Sequence, residues 1–188
     1  MRLTNKDIHE QNQLLLKQQQ DFHRAAEVIA DELAMLPQVQ KIVIFGSVAM
    51  PLQKEIPRFR QYRRERIAVW HECKDVDLAV WLNDFDHLKD IQRTRSHALN
   101  HLLAIEDIGV AHHQVDMFLM DATDRYLGRL CHFGQCPKER KLECLVDGCG
   151  KKQFLRQDEE FVFRPESLAP EKSIVLFDRH AHQGDIPF

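Results

Sequence analysis

The stretch Lys41-Ile-Val-Ile-Phe-Gly-Ser47, followed after a gap by Asp75-Val-Asp-Leu-Ala-Val-Trp-Leu82, decides how this chain reads. Ile42 to Phe45 run without a break into a Gly-Ser pair, which predicts a buried strand delivering a tight turn. The second half predicts a strand whose first alternate positions are carboxylates. Alternate strand positions share a face, so Asp75 and Asp77 look one way while Val76, Leu78 and Val80 look the other. A later stretch, Gln114-Val-Asp-Met-Phe-Leu-Met120, repeats the pattern with one carboxylate, Asp116.

Two carboxylates on one face repel unless a cation lies between them. A hard divalent ion shared with substrate phosphates is the common remedy. A Gly-Ser turn closing a strand offers backbone N–H groups and a hydroxyl to a phosphate. Both halves suit phosphoryl or nucleotidyl transfer. The bland alternative is a set of edge or turn carboxylates with no shared task.

Gly46-Ser47, Asp75-Val76-Asp77 and Asp116, in that order and strand context, resemble the nucleotidyltransferase superfamily typified by DNA polymerase beta. The similarity is greatest to its minimal and antibiotic-modifying members, and it spans roughly residues 38–122. It implies an α/β (α+β) nucleotidyltransferase fold, a mixed sheet flanked by helices. It also implies that Asp75, Asp77 and Asp116 hold two Mg2+ ions, with Asp116 at the acceptor hydroxyl. Gly46 and Ser47 would bind the β- and γ-phosphates of an NTP, with ATP the expected donor. This chain departs from the pattern in the long segment 48–74 and in Lys74 before the first Asp. That segment reads as a substrate-specific insertion.

Net charge of −3 over 188 residues argues against a protein that coats nucleic acid by bulk electrostatics. No apolar run approaches a membrane span, and the N-terminus lacks a signal-peptide layout, so the expected setting is the cytoplasm. A homo-oligomer is left open.

Taken in order, residues 5–36 predict one amphipathic helix, with Leu15, Phe22, Ala26, Ile29, Leu33 and Leu36 on one stripe. Thr4 or Asn5 is its candidate cap and Pro37 lies past its end. Val48 to Met50 predict the start of a short helix. The insertion, residues 51–74, carries Arg58, Arg60, Arg63, Arg64 and Arg66 among Phe59, Tyr62 and Trp70. Arg60, Arg63 and Arg64 are candidate ligands for a triphosphate or a nucleic-acid backbone. The competing reading is a charged helix with apolar anchors. Residues 84–106 predict a second long helix, capped by Asp84 or Asp86, with Leu88, Ile91, Ala98, Leu102 and Ile105 apolar. His97 and His101 lie one turn apart without a third ligand and read as a solvated pair.

From residue 125 the composition changes. Cys131-x4-Cys136 and Cys144-x4-Cys149 form two hooks, flanked by Gly134, Gly148 and Gly150. Four thiolates suit a closed, structural Zn2+ shell, although this spacing sits at the wide edge of the usual about two to four. Disulfides and unconnected thiols are the alternatives. Cys73 reads as a thiol beside the candidate site. Lys138, Arg140, Lys141, Lys151, Lys152 and Arg156 would give a zinc module a basic surface. Phe161 to Phe163 and Ser173 to Phe177 predict two short strands. The expected organisation is therefore a nucleotidyltransferase domain (1–124), a zinc-stapled extension (125–179) and a frayed tail (180–188).

The function these features predict is transfer of a nucleoside monophosphate from an NTP to a hydroxyl acceptor on a small molecule, an RNA end or a protein. Two other classes stand beside it: a retired, antitoxin-like binding module on the same fold, and a zinc-ribbon nucleic-acid adapter.

Overall fold

A computed structural model describes residues 3–133, 136, 149, 152–158 and 160–181. Helix α1, Asn5–Ala34, starts at the expected Thr4, whose Oγ1 accepts the Asp7 amide at 3.2 Å. The Thr4 amide donates to Asp7 Oδ2 at 2.8 Å, completing a capping box. Strand β1, Val39–Phe45, follows and ends in a single 3-10 turn, Gly46–Val48, in place of the short helix read from Val48 to Met50. The insertion folds as β2 (Lys54–Glu55), α2 (Arg60–Glu65) and β3 (Val69–Trp70), with β2 and β3 paired antiparallel.

Strand β4, Val76–Leu82, leads through α3, Leu88–Glu106, to β5, Val115–Met120, which lies parallel to β4. A helical crossover is what a parallel neighbour requires. The α3 start differs from expectation. Asp84 Oδ1 accepts the Asp86 amide at 2.7 Å, so it caps the turn before the helix, and the helix N-cap is His87 with no side-chain bond. Ile105, expected on the buried stripe, is 71% exposed. His97 and His101 stack on each other at the surface, and both face Glu32.

Three further strands, β6 (Tyr126–Leu130), β7 (Leu155–Arg156) and β8 (Ser173–Asp178), complete a six-stranded mixed sheet in the order β7-β6-β5-β4-β1-β8. Residues from the expected extension therefore build both edges of the same sheet. Arg179 ties one edge down, donating to the carbonyls of Ala34, Leu36 and Val39 at 2.9–3.0 Å. Phe161 to Phe163 form no strand; their ends lay rings on the sheet instead.

Alternation sorts the strand residues onto two faces. One face buries Ile42, Ile44, Val76, Leu78, Val80, Met117 and Leu119 against α1 and α3. The other carries Val43, Phe45, Ala79, Trp81, Phe118 and Met120 under Tyr126, Phe161, Phe163 and Leu168. No helix among the described residues is long and apolar enough to cross a membrane.

Candidate functional site

The carboxylates belong to the second face. Register pairs Asp77 with Asp116 directly across the parallel β4–β5 ladder, and Phe45 opposes Asp77 on β1. Matching register puts both side chains on one side of the sheet, where a slip of one residue would have separated them. The turn after β1 closes over this pair. Gly46 has φ +77, and a Cβ there would stand 2.7 Å from Asp77 Oδ2. Glycine is required twice, by its conformation and by the nearness of that carboxylate.

Asp75 precedes β4 and is exposed, yet lies near enough to repel Asp77. Burial first, then Asp116, then Asp75 push the Asp77 carboxyl up to about 7, with Arg129 pulling the other way. Asp116 accepts from Arg129 Nη1 at 3.2 Å through Oδ2. Its Oδ1 is 3.5 Å from His132 Nε2 and is buried without a hydrogen bond. Arg129 is held over the Phe161 ring at 5.1 Å and reaches Asp158 at 3.7 Å. One guanidinium thus faces a cluster of carboxylates. Burial holds the His132 imidazole below its ordinary range, with Asp116 opposing.

Behind Asp116 lies Arg95 of α3, 0% exposed. Its Nη2 donates to the carbonyls of Cys131 and His132 at 3.4 and 3.3 Å, while Nε and Nη1 have no partner. Burial lowers its pKa to about 10, and the neighbouring Cys131 and Asp116 favour the charged form.

Sequence reasoning missed Arg95, Arg129 and His132. For Arg95 a signal existed: the stripe Leu88, Ile91, Ala98, Leu102 skips a turn, and the residue at helical spacing in that gap is Arg95. Arg129 sits in β6, a strand without apolar alternation, and carried no such mark.

Ser47 bonds its hydroxyl to Cys73, a buried thiol whose pKa burial raises and Ser47 lowers. The Ser47 and Met50 carbonyls accept from Gln19 of α1 at 3.2 and 2.7 Å, which locks the turn to the helix. Arg60, Arg63 and Arg64 are exposed on α2, and their side chains make no hydrogen bond or ion pair among the described residues. Cys131 and Cys136 are free thiols that pack beside the main core, and Cys149 forms an isolated antiparallel bridge to Arg156. Cys144 lies outside the described residues, as do Gly134, Gly148, Gly150, Lys138, Arg140, Lys141, Lys151 and residues 182–188 of the tail.

Among the described residues, no group of three or more His, Cys, Asp or Glu side chains is arranged to hold a metal ion. What the fold builds is a pair, Asp77 and Asp116, with a third carboxylate at the rim. The pair suits a hard divalent ion on two counts. Its donors are oxygens, and Asp116 Oδ1 is a buried acceptor with no hydrogen bond. No family model, no curated protein and no solved structure matches the chain.

Proposed function

We propose that this chain is a metal-dependent nucleotidyltransferase of the polymerase-beta kind, moving a nucleoside monophosphate from an NTP to a hydroxyl acceptor. The observation that supports it most is the in-register Asp77–Asp116 pair beneath the Gly46 turn. Asp77 and Asp116, joined by Asp75 at the rim, would hold Mg2+, and bound Mg2+ would neutralise phosphate charge and stabilise the attacking and leaving oxygens. The chain's own groups do the rest. The Gly46 turn presents backbone to the phosphates without a side chain in the way. Asp116, oriented by Arg129, accepts the acceptor hydroxyl's proton as its oxygen bonds to the α-phosphorus and pyrophosphate leaves. Ser47 shapes the turn through Cys73 and Gln19.

In the extension, Cys131, Cys136, Cys144 and Cys149 would close one structural Zn2+ site. The free thiols of Cys131 and Cys136 support this over disulfides. Metal analysis of protein purified without added zinc should find one equivalent, and its absence with four titrating thiols would refute it.

One observation favours a second reading, a retired module that binds without catalysing. Arg129 already supplies Asp116 with a counter-charge from within the protein. Incubation with each α-labelled NTP, Mg2+ and cell extract separates the two. Label transferred to an acceptor supports the enzyme. The retired module leaves all label in NTP.

A further inference from the structure

The insertion between the Gly-Ser turn and Asp75 encloses a cavity of about 500 Å3. Its floor is Leu15 of α1 and Val69 of β3, both buried. The hairpin is pinned to that floor, because Asn12 Oδ1 accepts the Trp70 amide at 2.8 Å. Three rings form its walls. Phe59 and Tyr62 lie 6.3 Å apart at centroid, and Phe59 is 59% exposed; Trp70 carries the Lys54 ammonium 5.0 Å from its ring centre.

Two carboxylates, Glu55 and Glu72, and two permanent cations, Arg58 and Lys74, line this cavity. Glu55 is engaged by His71 Nδ1 at 3.0 Å, and Glu72 stands exposed at the rim. The cationic ends of Arg58 and Lys74, which also line the cavity, have neither hydrogen bond nor ion pair among the described residues. Rings beside unpaired cations suit a planar π-system joined to an anion. Stacking accepts any base, and guanidinium and ammonium groups both bind phosphate. An apolar ligand would strip water from Arg58 and Lys74 and give nothing back. Inorganic phosphate would have no use for the rings. Two unpaired cations at this cavity fit a mononucleotide better than a long polyanion.

The cavity also adjoins both halves of the candidate site. Lys74 is three residues from Asp77, about 10 Å of extended chain. Leu15 is one helical turn from Gln19, which holds the Ser47 and Met50 carbonyls.

We propose that this cavity binds a nucleotide, with its base among Phe59, Tyr62 and Trp70 and its phosphate against Arg58 and Lys74. Its role rests on the transfer reading, since the nucleotide is either the donor NTP or part of the acceptor. Binding itself requires only the cavity. The test titrates the full chain, without metal, with each nucleoside 5′-monophosphate while following tryptophan fluorescence. At least one should quench saturably, and Trp70→Phe should abolish the signal, because Trp81 sits in the sheet. Arg58→Gln with Lys74→Gln, and separately Tyr62→Ala, should weaken binding about tenfold or more while circular dichroism and melting stay unchanged. Competition by a non-hydrolysable NTP with Mg2+ would assign the cavity to the donor, and simultaneous binding would assign it to the acceptor. The proposal is overturned if no monophosphate quenches, or if quenching is undiminished in the Arg58/Lys74 variant. Nucleotide binding without any label transfer by the wild type would defeat the transfer reading alone.

Discussion

The two faces of the sheet are made by the same strands and obey different rules. On the helix side β4 contributes Val76, Leu78, Val80 and Leu82, all buried in an aliphatic core. On the other side it contributes Asp77, Ala79 and Trp81, on the face covered by the rings of Tyr126, Phe161 and Phe163. One period-2 alternation lets a strand serve stability with even positions and chemistry with odd ones. A carboxylate pair can be tolerated on the second face because the first already supplies the hydrophobic driving force.

Breaking the comparison should cost most on the helix side. Leu78 is 0% exposed, and Leu78→Ala should lose about 3 kcal/mol through transfer and cavity terms. Phe163, only half-buried among Phe45, Phe118 and Tyr126, should lose about 1.5 kcal/mol on truncation to alanine. Urea denaturation of both variants checks the order, and equal losses would mean that the ring cover is as much a core as the helix face.

The sequence announced the helix face well and the second face unevenly. Leu15, Phe22, Ala26, Ile29 and Leu33 stood on one helical stripe and are all buried, because a helix packing on a sheet needs that period. Asp77 and Asp116 were visible as strand carboxylates, but their pairing depended on register, which only the three-dimensional ladder sets. Ile105 broke the pattern: it follows Leu102 at helical spacing, yet in the last turn of α3 it is exposed. β6 and β7 escaped notice because β6 lacks apolar alternation and β7 is a two-residue edge strand, with Gly128 packed against Arg156 where a side chain would not fit.

Arg129→Gln probes the second face next. It removes the bond to Asp116 and leaves the buried Arg95 as the remaining nearby guanidinium, so stability should fall by about 1–2 kcal/mol at neutral pH. Millimolar Mg2+ should restore more stability to this variant than to the wild type, since a cation then has more repulsion to relieve. Thermal melts with and without Mg2+ decide it, and identical Mg2+ effects would count against an ion at the pair.

An effect of opposite sign, confined to neutral and higher pH, is expected at Asp77. Without metal its folded-state pKa of about 7 exceeds the unfolded value of about 4. Between these values the folded chain binds more protons than the unfolded, so stability present at low pH is lost as pH rises through that window. Asp77→Asn should therefore match the wild type near about pH 4 and exceed it by on the order of 2 kcal/mol near about pH 8. A stability gap independent of pH would show that burial and Asp116 do not act on this carboxyl as described.

The central claim, that Asp77 and Asp116 are one site, is tested most directly by a double-mutant cycle on label transfer from α-labelled NTP with Mg2+. Asp77→Asn and Asp116→Asn should each reduce the rate by on the order of 10³-fold, and the double variant should be hardly slower than either, because each carboxylate depends on the ion the other holds. Multiplicative losses, or transfer that survives Asp77→Asn, would contradict the account.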